Sequence, residues 1–449
     1  MIGRLFDFDA TDVERAADVE ASALVDAGVG AGDSIGWLAL NHPRALALLA
    51  ACKRVGVRFV PLNWRLGPVE LTRHVEHAGL QWLLHDEAMQ PLAEAIAARL
   101  DGPLPLPRAQ GHLPGDVMLA YTSGTGGDSK AAIHTADGMQ ANIEAAIDAQ
   151  HLDAQTRALA VLPLFHVGGL CIQVLPTLAA GGRVRLHARF DAGAWLDDVA
   201  AWRPTTSLLV PATMRALVEH PAWAIADLSS LAFVNSGSQT VPLHLIEAFH
   251  RRGVPVCQVY GATETGPVSL VLRPEEALHH PGKAGRPALG VSVRCVDGEL
   301  WIRGPNLARG YHREPAAPAF ADGWFRSGDL ATQGQDGLFE IVGRCKELVI
   351  SGGENIHPAE IENLALGDAA VAEAAVVGLP DERWGEVPVL AVVARPGAVI
   401  DVARLAAALA ERLARFKQPR RIVVLPELPK TALGKVQRTR LARQLSALT

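Results

Sequence analysis

Over the first two-thirds of this 449-residue chain, uninterrupted apolar runs alternate with amphipathic stretches, and that beat restricts the fold more than any other feature. IGWLALN (35–41) reads as a buried strand and PRALALLAACKRVG (43–56) as a helix closed by its glycine; RFVPLN (58–63) and QWLLHD (81–86) read as returning strands. The beat recurs as TSLLVPA (206–212), LAFVNSGS (231–238), the helix VPLHLIEAFHRRG (241–253) and VPVCQVYG (254–261). Strands that are apolar on both faces need cover on both, which predicts an α/β fold of parallel sheets covered by helices. Ligands in such folds gather at the carboxyl ends of the strands. YTSGTGG (121–127) and VYGATE (259–264) both fall there.

After about residue 280 the texture changes to short, glycine-rich, hairpin-like pieces such as VRCVDGELWIRG (293–304) and GLFEIVGR (337–344), a β-rich subdomain. From 346 onward helices and strands mix in a compact α+β unit. The boundary is expected at 343–346, giving a large domain over 1–344 and a small cap over 345–449. No Asp, Glu, Lys or Arg stands between Arg157 and Arg183, a length that can span a bilayer. Pro163, Pro176 and paired glycines interrupt it, so strand, turn and buried helix are expected instead.

The net charge of −6, with Lys and Arg scattered, argues against a nucleic-acid partner. Five widely spaced cysteines form neither a disulfide framework nor a metal-ligand spacing. The N-terminus carries acids early and no apolar core of a signal peptide, so a cytoplasmic location is expected. Monomer and homodimer both stay open.

The stretch YTSGTGGDSK (121–130) carries the first chemical signal. Glycines let backbone N–H groups approach oxyanions, Ser and Thr hydroxyls add donors, and Lys130 adds a positive charge, which together suit nucleotide phosphates. It is not the GxxxxGK[ST] phosphate loop. Four further segments follow in order: LPLFHVGG (162–169), VYGATETG (259–266), WFRSGDLA (324–331) with GRCKELVISGGENIHPAEIE (343–362), and PKTALGKVQR (429–438).

Together these segments resemble the AMP-forming acyl-CoA synthetases, the adenylate-forming superfamily that also holds peptide-synthetase adenylation domains and firefly luciferase. The likeness runs from about residue 5 to the end. It implies an ATP-dependent carboxylic acid–CoA ligase: a carboxylate attacks the α-phosphorus of ATP to give acyl-AMP and pyrophosphate, and the thiol of coenzyme A then displaces AMP.

By that resemblance Thr122, Ser123, Gly124, Thr125, Gly126, Gly127 and Lys130 hold the triphosphate. Gly126 and Ser129 stand where the family usually has threonine and proline. Ser236, Gly237, Ser238, Tyr260, Gly261, Ala262 and Thr263 correspond to the adenine cradle. Glu264, with Thr122, corresponds to the Mg²⁺ site, where a hard cation takes oxygen ligands. Asp329 corresponds to the carboxylate on the ribose hydroxyls, and Arg344 to its partner reaching ribose or phosphate.

Lys435 is the expected adenylation catalyst, because an ammonium can draw two anions together that otherwise repel. Lys430 and Arg438 beside it are expected to be solvated. Lys346 corresponds to the hinge, and Gly352 and Gly353 to the loop presented to the pantetheine arm of coenzyme A. The acyl pocket is expected from His166, Val167, Gly168, Val210, Gly261 and Thr265, with His166 as a gate.

No aspartate stands in the LFHVGG motif to hold an amino group, so a plain carboxylic acid is favoured, aromatic or medium-chain aliphatic. An o-succinylbenzoate–CoA ligase is the alternative, since KAAIHT (130–135) fits those enzymes too. A weakly active nucleotide-binding or carrier-loading relative is the alternative of another class. The chain begins late relative to the family, which bears on packing of the large domain rather than on chemistry.

Overall fold

The computed structural model describes residues 5–100, 102–107, 111–122, 129–314, 317–430 and 435–448. Ser123, Gly124, Thr125, Gly126 and Gly127, all expected on the triphosphate, lie outside the described residues.

Two sheets form the large part. The first runs Trp82–His85, Ser34–Leu38, Arg58–Pro61, Asp116–Tyr121, Ala131–Thr135, with parallel pairing except between the last two. The second has eight strands. Its centre is the parallel set Arg183–His187, Arg157–Ala160, Thr206–Leu209, Phe233–Gly237 and Val256–Tyr260, flanked by antiparallel edge strands. All five residues of Ser34–Leu38 are buried, as its continuous apolar run requires. Helix Arg44–Val55 stops at Gly56, whose φ of 77° is the left-handed conformation that glycine adopts without strain. Trp82–His85 is only partly covered because it lies at a sheet edge.

The stretch between Arg157 and Arg183 is a strand followed by a helical segment, a π-turn Gly168–Val174 leading into Leu175–Ala179, and it packs inside the large core. No helix among the described residues is long and apolar enough to cross a membrane.

A five-stranded antiparallel sheet, from Ser292–Val296 to Phe339–Arg344, forms the β-rich subdomain. Beyond it lies another sheet, Glu354–Ile356, Val349–Ser351, Gly385–Ala394, Val371–Asp381 and Arg421–Val424, covered by helices Pro358–Leu366, Val402–Arg412 and Arg438–Ser446. Its two hydrophobic clusters draw only on residues from 349 onward. The clusters of the large part draw only on residues up to 341.

Candidate functional site

Strand ends converge on a cleft of about 640 Å³ that Thr122, Gly237, Ser238, Tyr260, Gly261, Glu264, Asp329, Arg344 and Lys435 all line. Strand Asp116–Tyr121 delivers Thr122, whose N–H donates to the Lys130 carbonyl at 2.8 Å and so joins the two ends of the 122–130 segment. Strand Phe233–Gly237 ends at Gly237, and Ser238 follows with φ 74°, a left-handed conformation unusual for a residue other than glycine. Strand Val256–Tyr260 ends at Gly261, where a Cβ would stand 1.7 Å from the Pro267 carbonyl oxygen. Only glycine lets the following loop fold back this closely. Ala262 and Thr263 complete the lining on that side.

Asp329 sits at the centre, nearly buried, with both oxygens engaged. It accepts from the Tyr260 hydroxyl at 2.8 Å and from Arg344 Nε at 2.8 Å. Burial and the neighbouring Asp329 carboxylate push the Tyr260 phenol well above its ordinary value, so it stays a donor. Glu264 Oε1 accepts from the Tyr311 hydroxyl at 2.5 Å, and the Glu264 carbonyl accepts from the Ala308 N–H.

Lys435 comes from the far side of the cleft, close enough to Arg344, Asp329 and Glu264 to feel their charges. Burial, then Arg344, pushes its ammonium below the ordinary lysine value, while Asp329 and Glu264 pull the other way. His166 lies on the wall of a second, larger cleft of about 1710 Å³, which also takes in Thr122, Lys130 and Lys346. Burial, with Lys435 and Arg65 nearby, pushes its imidazole down to about 4, so it is neutral near pH 7.

Several expected residues sit elsewhere. Thr265 is fully buried and lines neither cleft; its hydroxyl accepts from the Ala262 N–H and from Ser269, closing the turn. Val167 and Ser236 are buried in their elements, and Val210 precedes helix Pro211–Val218, its N–H donating to the Thr213 hydroxyl. Gly168 opens the π-turn. Gly352 and Gly353 form a left-handed turn, and a Cβ on Gly352 would stand 2.6 Å from the Trp384 ring; neither glycine lines either cleft.

Arg438 corrects an expectation. It is held by Glu347, Glu362 and the Val376 carbonyl instead of standing in solvent, because its helix faces the segment that follows Arg344. Lys430 likewise pairs with Glu373 at 2.6 Å.

Tyr311 and Glu314 escaped the sequence reading. Glu314 Oε2 lies 2.5 Å from Lys130 Nζ, and the Tyr311 ring centroid lies 4.8 Å from the same ammonium. One short turn therefore touches both Lys130 and the carboxylate of Glu264.

Strand ends of the large part and Lys435 from a separately cored C-terminal unit thus meet at one cleft. The chain belongs to the AMP-binding enzyme family: residues 10–312 match the AMP-binding enzyme profile and 360–435 that of the AMP-binding enzyme C-terminal domain. It is 41% identical to an indoleacetate–CoA ligase of Aromatoleum aromaticum, covering 93% of this chain and 89% of the relative. It is 39% identical to a feruloyl-CoA synthase of an Amycolatopsis species, covering 94% and 91%. Among solved structures, the amide bond synthetase McbA of Marinactinospora thermotolerans superposes with TM-score 0.87 at 28% identity, covering 96% of this chain and 94% of that one. The o-succinylbenzoate CoA synthetase of Bacillus subtilis, in complex with its acyl-adenylate, gives 0.83 at 29%, covering 96% and 92%.

Proposed function

We propose that this enzyme is an ATP-dependent acid–CoA ligase that activates a ring-bearing carboxylic acid as its acyl-adenylate. The observation that carries the reading is Lys435 standing over a cleft that also holds Asp329, Arg344 and Glu264. In this reading Asp329 takes the ribose hydroxyls, and Tyr260 with Arg344 fixes its orientation. Lys435 bridges the acid's carboxylate and the α-phosphate, offsetting the repulsion between two anions as they join.

Glu264 and the Thr122 hydroxyl supply oxygen donors that suit Mg²⁺. Among the described residues no three His, Cys, Asp or Glu side chains could hold a metal by themselves, which fits an ion whose shell is completed by nucleotide oxygens and water. Bound there, the ion would neutralise charge on the leaving pyrophosphate.

Domain alternation about Lys346 follows from the same reading. With Lys435 in the cleft, Gly352 and Gly353 line neither cleft. Rotation withdraws the lysine and brings their turn toward the thiol path, and such steps can set turnover. The two relatives near 40% identity, named for indoleacetate and ferulate, favour an aryl monocarboxylate over the dicarboxylate o-succinylbenzoate.

The test is a panel of aromatic and aliphatic acids, with pyrophosphate and AMP release measured with and without coenzyme A. Acid-dependent pyrophosphate release, with sustained turnover only when coenzyme A is added, is the expected result. No pyrophosphate with any acid would overturn the reading, and turnover sustained by an amine but not by coenzyme A would reassign the acceptor.

A further inference from the structure

The layer between the large sheet and helix Ala136–Gln150 is built from unusually small residues on its helix side. Ala145, Ala146 and Ala149 pack there against Ile172, Leu208 and Val259. A polar side chain lies in this apolar layer. Asn235, fully buried in strand Phe233–Gly237, reaches across it, its Nδ2 donating to Gln150 Oε1 at 2.6 Å. Gln150 in turn donates to the Ile172 carbonyl at 2.9 Å, which fixes the orientation of its own amide.

Asn235 Oδ1 is buried and has no hydrogen-bond partner among the described residues. Folded proteins seldom leave such a carbonyl unpaired, because the lost hydration is not recovered.

The position of this oxygen gives it a direction. Asn235 pairs in register with Leu208 and Cys257, while Gly237 pairs with Val259. Residues two apart in a strand face the same way, so Asn235 lies beneath Gly237 on one face, and Cys257 and Val259 lie beneath Gly261. At about 3.3 Å per residue, Asn235 is roughly 7 Å below the Gly237 row and 13 Å below the level of Gly261, where the cleft opens. That is about the reach of an aryl acid whose carboxylate faces Lys435.

We propose that Asn235 Oδ1 accepts a hydrogen bond from a donor at the far end of the ring acid, a phenolic O–H or ring N–H, and so sets the preference among aryl acids. The inference rests on the ligase reading above. Asn235 touches no reacting atom; it acts on which acid is bound.

The experiment compares three acids of one shape: 4-hydroxycinnamate, cinnamate and 4-methoxycinnamate, scored by pyrophosphate release. The wild-type enzyme is expected to favour the hydroxy acid at least about tenfold in kcat/KM over each of the others, mainly through KM, as a site built for a hydroxyl rejects analogues without one. Asn235→Leu keeps the volume and removes the acceptor, so the preference should fall to within about twofold while cinnamate is still activated. Wild-type turnover of all three at similar rates would overturn the role of Asn235 and leave the ligase reading standing. No pyrophosphate from any of the three, with aliphatic acids active, would overturn the aromatic reading and this inference together. The wild-type comparison needs no variant and stands even if Asn235→Leu fails to fold.

Discussion

Arg438 Nε donates to Glu347 Oε2 at 2.8 Å, joining the C-terminal helix to the short 3₁₀ turn Cys345–Glu347 that follows the last strand of the β-rich subdomain. The same guanidinium also holds Glu362 at 2.6 Å and the Val376 carbonyl at 2.7 Å. Arg438→Met keeps the apolar stem but leaves two part-buried carboxylates without their cation, Glu362 keeping the Val376 N–H. A loss of about 1–3 kcal/mol is expected, since orphaned charges cost more than the pair returns. Urea unfolding of variant and wild type checks it, and coincident midpoints would remove the structural role.

Lys435→Ala should lower adenylation by about a hundredfold or more, since one well-placed donor at a developing charge is worth that much. Thioester formation from supplied acyl-AMP should be nearly unaffected. The two half-reactions are measured separately, and equal losses in both would rule against alternation about Lys346.

Tyr311→Phe removes the hydroxyl that donates to Glu264. The carboxylate then lacks its fixed orientation, and the Mg²⁺ concentration for half-maximal pyrophosphate release should rise severalfold with a smaller change in kcat. An unchanged Mg²⁺ dependence would show that Glu264 holds its place without this contact.

Acid should destabilise the fold as its buried histidines are driven to take up protons. Burial pushes His134 down to about 4. Burial with His77 nearby does the same for His74. Burial with Arg58 and His77 nearby does so for His312. Because the folded values lie below the ordinary 6.5, the unfolded chain takes up the protons. Stability is full above about 6.5 and falls as pH drops toward 4, by up to about 1.4 kcal/mol per pH unit for each histidine. Melting temperatures at pH 7.5, 6.5, 5.5 and 4.5 check this, and a flat profile would contradict it.

The strands and helices of the large part were legible because their signal is local: continuous apolar runs, a glycine at 56, a turn after Tyr260. Tyr260, Glu264, Asp329 and Arg344, expected from motifs to hold the nucleotide, line one cleft with Lys435. Tyr311 and Glu314 were not, because their partners Glu264 and Lys130 lie 47 and 184 residues away and no short pattern records such pairings. Arg438 was misread for the same reason, its partner Glu347 being 91 residues distant. Thr265 looked like a pocket residue from its motif, but closing a tight turn claims its hydroxyl first.

The C-terminal unit keeps an interior entirely of its own. Such a piece can be grafted from one homologue to another without breaching either oily centre. The activating amine would travel with the graft, while the ring preference would stay behind with the recipient.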